Sequence, residues 1–469
     1  MNYEEAMIYL EGTERFGSRL GLDRMRQLLF WLDSPEFGIP TMHIAGTNGK
    51  GSVSAYSAYM LASAGYRVGF FCSPYVYDFG ERIRVIDGRD PEAVWAQDPH
   101  AGQISREAVA ETLTRLRTII EEQGLTGPSH PTHFEMLTLM AFMHFRARAC
   151  DVLVLETGLG GRLDSTNIIP PPRVAVITAI GLDHTARLGN TYLEIAGEKA
   201  GILKRGTRAL CLYDQTIAIP EAEEAAKVTE LFAQRAAELG IDLVAHRHAD
   251  VHVLKRDLTG QSFRIFEEGN RIFRTALLPA FEPDNAALAV KAVRALVPTI
   301  AQEALARGIE RCYWPARLEK LSDRPVVLLD GGHNPQGAAA LRESLNALFP
   351  DGRPEVHICS IMRDKDQQAM LDEALRGGKV KLLLLTAPQG VARAERPEIL
   401  AELAAETAAK LLPATQRPEI AGVDSVAAAV ERGLAFCLAH DAVLVGWGTF
   451  YQAGEFRKAL LAEIAALEV

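Results

Sequence analysis

The chain has 469 residues, a formal net charge of −10, 48% hydrophobic residues and 23% charged residues. That length is about three times a typical domain and predicts two domains. The ordinary composition predicts a soluble globular fold, and the acidic balance excludes bulk attraction to nucleic acid or to an anionic membrane. No apolar run reaches the length of a membrane span. The start, MNYEEAMIYLEG, lacks a basic segment followed by an apolar core, so no signal peptide and a cytoplasmic location are expected. Six cysteines lie far apart without a C-x-x-C pair. They are expected to be buried structural thiols rather than zinc or redox groups.

In chain order, TMHIAG is a short apolar strand ending in glycine, and a helix is expected over 52–64 with Gly65 as its stop. RVGFFCS, DVLVLE, RVAVITAI and RALCLY continue as apolar runs without polar alternation, which predicts parallel strands covered on both faces. From His246 to Leu278 the pattern becomes that of short antiparallel strands, with Gly269 and Asn270 as the hairpin turn. A helix follows over 285–297. PVVLLD, VHICSIM, KLLLLTA and AVLVGWG form a second strand series, separated by helical stretches such as AELAAETAAKLL. The expected fold is α/β. An N-terminal P-loop-type doubly wound parallel sheet domain with a small antiparallel sheet, 1–312, precedes a smaller Rossmann-like α/β domain, 313–469, with a cleft between them.

Strand-end loops are where such sheets bind ligands, and four of them carry unusual residues. HIAGTNGKGSV departs from G-x-x-x-x-G-K-S/T, because Ile44 stands at the first glycine and Gly51 separates Lys50 from Ser52. Gly46, Gly49 and Gly51 would let backbone N–H groups approach a phosphate at a helix N-terminus. Lys50 would reach the outer phosphates, and the Ser52 hydroxyl would face Mg²⁺; the plainer reading is a tight turn that needs glycines. In LETGLGGRLDSTN, Glu156 ends a buried run and needs a partner, either a metal ion or an internal cap or ion pair. Gly158, Gly160 and Gly161 open that loop, and Arg162, Asp164 and Asn167 offer polar recognition. In GLDHTARLGNTYLEIAGEKAGI, Asp183 and His184 leave a strand end. His184 is either a metal ligand, an orienting group or an ordinary polar residue. Lys199 reads from the residues alone as a solvated helix charge. In VVLLDGGHNPQG, Asp330 ends a strand, His333 follows the glycine turn and Pro335 opens a helix. Asp330 suits a ribose, and Arg317 in WPARLE suits a phosphate.

The sequence resembles the folylpolyglutamate synthases and dihydrofolate synthases of the Mur ligase superfamily. The likeness runs through LGLDRMRQLL, GTNGKGS, SPY…ERIRV, PTHFE, LETGLGGRLDSTN, GLDHT…LGNT…EKAGI, WPARLE, DGGHNP and DKD. It implies an ATP- and Mg²⁺-dependent amide ligase that adds L-glutamate to dihydropteroate, to a folate, or to both, through an acyl phosphate. By the resemblance, Gly46, Thr47, Asn48, Gly49, Lys50, Gly51 and Ser52 cradle ATP phosphates, and Ser52, Glu156 and His184 hold the metal. Asn285, Arg317 and Asp330 match ATP-contacting positions, with His333 beside the last. Lys50, Lys199 and His184 carry the chemistry, Lys199 at a position carbamylated in this superfamily. Thr132, His133, Phe134, Glu135, Leu163 and Asp164 match pterin-binding segments. Arg82 and Arg84, after a mobile loop beginning at Ser73, would meet substrate carboxylates. Tyr75, Ala316 and Gly332 stand where the family more often has His, Gly and Ala, and GWGTFYQAGEF matches only loosely. Only 45 residues precede Gly46, too few for the extra nucleotide-sugar domain of the muramoyl peptide ligases. A monofunctional folylpolyglutamate synthase and a non-catalytic ATP-binding switch are the alternatives. A monomer is expected.

Overall fold

The computed structural model describes residues 1–17, 19, 21–90 and 100–467. β1 (Thr41–Ala45), β2 (Arg67–Phe71), β3 (Ile83–Asp87), β4 (Val152–Glu156), β5 (Val174–Ile177), β6 (Ala209–Leu212) and β7 (Asp242–Ala245) form one sheet of order β3-β2-β4-β1-β5-β6-β7. β1, β4, β5 and β6 are buried along their whole length, as unbroken apolar runs require. Six strands run parallel, while β3 pairs antiparallel with β2 at the edge and so departs from a purely parallel sheet.

The helix Lys50–Ser63 is buried on nearly every face. It packs against the helix Gln302–Glu310, where a Cβ at Gly308 would lie 2.4 Å from Met60 Cα. The close approach of these two backbones depends on the absence of a side chain there.

β8 (Val251–Asp257), β9 (Gly260–Ile265) and β10 (Phe273–Thr275) form a three-stranded sheet. Gly269 and Asn270, the expected hairpin turn, are turn residues between the neighbouring strands β9 and β10. Those residues lie inside a seven-residue link that contains the short 3₁₀ turn Phe266–Glu268. A two-residue turn, Leu258 and Thr259, joins β8 to β9, and there Asp257 Oδ1 accepts from the Thr259 amide and hydroxyl.

The third sheet, order β11-β12-β16-β13-β14-β15, joins β11 (Glu319–Asp323), β12 (Val326–Leu329), β13 (Glu355–Cys359), β14 (Val380–Leu385), β15 (Glu419–Gly422) and β16 (Val443–Trp447). Its strands run parallel except β11, which is antiparallel to β12. By compactness the chain divides into one unit of Met1–His252, Arg264–Arg274 and Asp284–Tyr313, and a second of Val253–Phe263, Thr275–Pro283 and Trp314–Val469. All six cysteines are buried and free. Among the described residues no helix is long and apolar enough to cross a membrane.

Gly308→Val is expected to lower the unfolding free energy by about 1–3 kcal/mol or more, because the added side chain meets backbone rather than a movable group. Urea unfolding reads this directly; an unchanged midpoint would show that the two helices part without cost.

Candidate functional site

The chain leaves β1 toward β2 on one side, and later crosses from β4 over β1 to β5 on the other. The ends of β4, β1 and β5 therefore sit side by side, with Ile44 opposite Glu156 and Ala45 opposite Ile177. Such a reversal of strand order opens a crevice beyond the carboxyl ends of the strands. The loop after β1 is fastened to the end of β5. The Thr47 and Asn48 amides donate to Ala179 O at 2.8 and 3.2 Å. Thr178 Oγ1 donates to Asn48 O at 2.7 Å, and Thr47 Oγ1 donates to Gly181 O at 3.0 Å. At Gly46 a Cβ would fall 1.8 Å from Thr178 Oγ1. Gly49 has φ +84°, and a Cβ there would lie 2.8 Å from Asn285 Oδ1. Glycine is thus required at both positions by conformation and by space. The helix begins at Lys50, and Lys50 Nζ donates to Thr47 O at 3.1 Å. Ser52, in the first turn, is fully buried.

Lys199 is not the solvated helix charge that its local sequence suggests. It is 3% exposed, and its Nζ donates to Gly46 O at 2.6 Å. Burial lowers its pKa to about 7; the positive charge of Lys50 adds to that fall, while Asp183 and Asp164 oppose it. Glu156 is buried at the end of β4. His184 is exposed and takes a left-handed backbone, φ +51°, before the single turn Thr185–Leu188, with its amide on Asp183 Oδ1 at 2.8 Å.

The loop after Glu156 folds around Asp164, which is 6% exposed. Its carboxylate accepts from the Leu159 amide at 2.8 Å and from the Thr166 amide and hydroxyl at 3.0 and 2.5 Å. Burial raises the Asp164 pKa and these donors pull it back. Leu163 beside it is half-buried. Asn167 Nδ2 donates to Arg162 O and Gly201 O, and Arg162 pairs with Glu198 at 2.9 Å.

Thr132 caps the helix His133–Ala147, with Glu135 completing the reciprocal cap and pairing with Arg24 at 3.1 Å. These two residues shape the segment. His133 and Phe134 begin the helix. Burial and the nearby Arg82 lower the His133 pKa to about 4, and the Phe134 ring lies where a Gly158 side chain would otherwise stand. Arg82 is half-buried and stacks 4.9 Å from the Tyr75 ring. Arg84, expected beside it for a substrate carboxylate, is 3% exposed and donates twice to Ala101 O and once to Tyr59 Oη. Its guanidinium serves the packing of β3.

In the second unit, Asp330 closes β12 and is buried, which raises its pKa. Its two oxygens accept the Leu318 and Gly332 amides at 2.9 and 2.7 Å. Arg317 lies 4.8 Å from the Phe450 ring and donates to Ala316 O. His333 Nδ1 lies 2.9 Å from Gly331 O, and its ring faces Phe450 at 5.6 Å.

Sequence reading missed Thr178 and Gln215. Gln215 is 1% exposed and bonds Ile180 N, Thr178 O and Tyr213 O, holding the end of β5 that supports the phosphate loop. Neither lies in a local pattern; both act through contacts distant in sequence.

Two observations fit a nucleotide phosphate at this loop. The space at Gly49 admits no side chain, and Asn285 Nδ2 beneath it is buried with no hydrogen-bond partner. Among the described residues no group of three or more His, Cys, Asp or Glu is arranged to hold a metal. Ser52 and Glu156 supply the oxygen donors Mg²⁺ takes, and Mg²⁺ held by one or two protein oxygens completes its shell from phosphate and water.

Between pH 7 and the ordinary lysine value of 10.5, Lys199 is neutral in the fold and protonated in the unfolded chain. The unfolded state then binds one more proton, so this group makes stability rise with pH across that window. Unfolding followed from pH 7 to pH 10 should contain this rising component, and Lys199→Met should remove it. An equal slope in the variant would show that Lys199 stays charged when folded.

The Mur ligase middle domain matches residues 103–293, and the glutamate ligase domain of the Mur ligases matches residues 316–446. A dihydrofolate synthase/folylpolyglutamate synthase of Bacillus subtilis (strain 168) is 37% identical over 376 residues, 79% of this chain and 82% of that protein. The folylpolyglutamate synthase of Mycobacterium tuberculosis, complexed with ADP and AMPPCP, superposes with a TM-score of 0.81 at 28% identity, covering 98% of this chain and 99% of its own. A folylpolyglutamate synthase complex with AMPPCP and folate superposes with a TM-score of 0.75 at 28% identity, over 98% of this chain and all of the other. With the phosphate loop, the strand-end Glu156 and the buried Lys199 placed as described, the chain belongs to the folylpolyglutamate synthase/dihydrofolate synthase family of Mur ligases and is an ATP-dependent ligase.

Proposed function

We propose that the chain joins L-glutamate to dihydropteroate, to a folate, or to both, at the expense of ATP. The observation that carries this reading is the phosphate loop itself. It is a helix N-terminus with Lys50 and Lys199 both bonded to loop carbonyls, at Thr47 and Gly46. Such a loop concentrates donors and positive charge where a phosphoryl group develops negative charge.

In the reaction, a carboxylate oxygen of the pterin acid attacks the γ-phosphorus of ATP, and ADP leaves with the bond electrons. The glutamate amine then attacks the carbonyl carbon of the acyl phosphate. The tetrahedral adduct expels phosphate, and the nitrogen loses a proton. Mg²⁺, held through Ser52, Glu156 and His184, would offset charge on the transferring phosphoryl. Lys50 serves the outer phosphates, and Asn285 Nδ2 serves a nucleotide oxygen. Gly46, Thr47, Asn48, Gly49 and Gly51 supply the cradle. Lys199, with its pKa near 7, holds enough neutral amine to take up CO₂ as a carbamate.

His133 is neutral at pH 7 and Phe134 is apolar, so together they suit the flat face of a pterin; Arg82 suits the substrate carboxylate. Arg317, Asp330 and His333 suit a nucleotide on the chemistry of their side chains. We assign 1–312 as the ATP-binding domain and 313–469 as the ligase domain, of a monomer working in the cytoplasm.

Phosphate release should require ATP, L-glutamate and either dihydropteroate or tetrahydrofolate. Release independent of the pterin acid or of glutamate would overturn the reading and favour an ATP-binding switch. Competing the two pterin acids against each other separates the bifunctional enzyme from a monofunctional folylpolyglutamate synthase. Lys50→Ala should lower turnover by about 10²–10³-fold, the range for removing one donor to a developing charge, with little change in thermal unfolding. Loss of folding would make Lys50 structural.

A further inference from the structure

The glycine loop after β4 is fastened from beneath at two places. One is Lys204, whose Nζ donates to Asn167 O and Ile169 O at 2.7 and 2.6 Å. The other begins inside β1, three residues before Gly46. His43 there is fully buried, with Nε2 2.8 Å from Thr166 Oγ1. Thr166 Oγ1 lies 2.5 Å from Asp164 Oδ1, which also accepts the Thr166 amide, while Asp164 Oδ2 accepts the Leu159 amide.

The direction of each hydrogen follows. A carboxylate collecting three donors is an acceptor, so the single Thr166 hydroxyl hydrogen points at Asp164. The hydroxyl then offers His43 only lone pairs, and the imidazole proton must sit on Nε2. Burial and the charge of Lys204 lower the His43 pKa to about 3, so the ring is neutral. Its Nδ1 is consequently bare, buried and without a partner. An apolar side chain in this strand would avoid the cost of that orphaned nitrogen. The fold keeps an imidazole whose only hydrogen bond is the one from Nε2.

We propose that His43 and Thr166 are positioning residues for the pterin acid, acting through Asp164 to hold residues 158–166 in register with the phosphate loop. The thread starts in the strand that carries the phosphate loop and ends in the loop that carries Leu163 and Asp164. It therefore fixes the donor and acceptor halves of the phosphoryl transfer against each other. Positioning of this kind matters because small displacements of reacting groups cost large factors in rate.

The inference rests on the ligase reading above, and two measurements keep the two apart. In the full chain, Thr166→Val and His43→Leu should each raise KM for the pterin acid about tenfold, equivalent to about 1.4 kcal/mol. KM for ATP should stay within about twofold. Thr166→Ser should restore the wild-type values, and the double variant should be no worse than Thr166→Val alone. A parallel rise in both KM values, failure of serine to rescue, or additive losses would overturn the proposal. Amide exchange needs no turnover. The Leu159 and Thr166 amides should exchange about tenfold faster in Thr166→Val, while the helix Lys50–Ser63 is unaffected. Unchanged exchange would overturn the thread even if the wild-type chain proved inactive on pterin acids, an outcome that would by itself sink only the ligase reading.

Discussion

The position of β1 between two parallel strands that end level with it governs the site. Its five residues are buried on both faces, so its backbone has no freedom to shift without breaking ladders to β4 and β5. The loop that follows inherits that rigidity. Its amides are bonded to Ala179, and its carbonyls receive Thr178, Lys50 and Lys199. A phosphate-binding loop works by presenting donors in fixed positions, and these bonds fix them before any ligand arrives.

A second consequence is electrostatic. Two lysines converge on two successive loop residues, Gly46 and Thr47, in a chain whose net charge is −10. One of them is buried with its pKa lowered to about 7, because desolvation and its neighbour both disfavour the charged form. The acidic groups of the region come from two strand ends, Glu156 and Asp164 from that of β4 and Asp183 from that of β5. A local field that favours phosphate thus coexists with an overall charge that repels polyanions, so attraction is confined to the crevice.

The strands that were legible in the amino-acid sequence are those buried on both sides. β1, β4, β5, β12, β14 and β16 announce themselves as apolar runs. β3, β7, β11 and β15 do not, because edge strands face solvent or a single neighbour and need no such run. β7 is mostly exposed, and β11 is polar apart from Leu321 and has no fully buried residue. The hairpin signal at Gly269 and Asn270 was legible because a turn dipeptide reports local conformation, and it lies between the neighbouring strands β9 and β10. The turn between β8 and β9, Leu258 and Thr259, carries no glycine and is held by Asp257, so it was not legible. Among the site residues, Gly46, Gly49, Lys50 and Glu156 were readable from type and place at a strand end. Lys199 was not readable as a buried group from its helix, since GEKAGI looks solvent-facing until the helix is packed over Gly46.

The chain's own order of residues dictated the α/β alternation, the phosphate loop at a helix start and the family to which the protein belongs. These follow from local rules: hydrophobic period, glycine at positions that admit no side chain, and a run of motifs at fixed spacing. Only the packed structure decided which polar groups carry weight and which serve the scaffold. It turned Arg84 inward to Ala101 and spent Glu135 on a helix cap and Arg24. It buried Lys199, and it threaded His43 through Thr166 to Asp164. The physical reason is that hydrogen-bond satisfaction inside a protein is a property of groups brought together from distant segments, and no local window of sequence contains both partners.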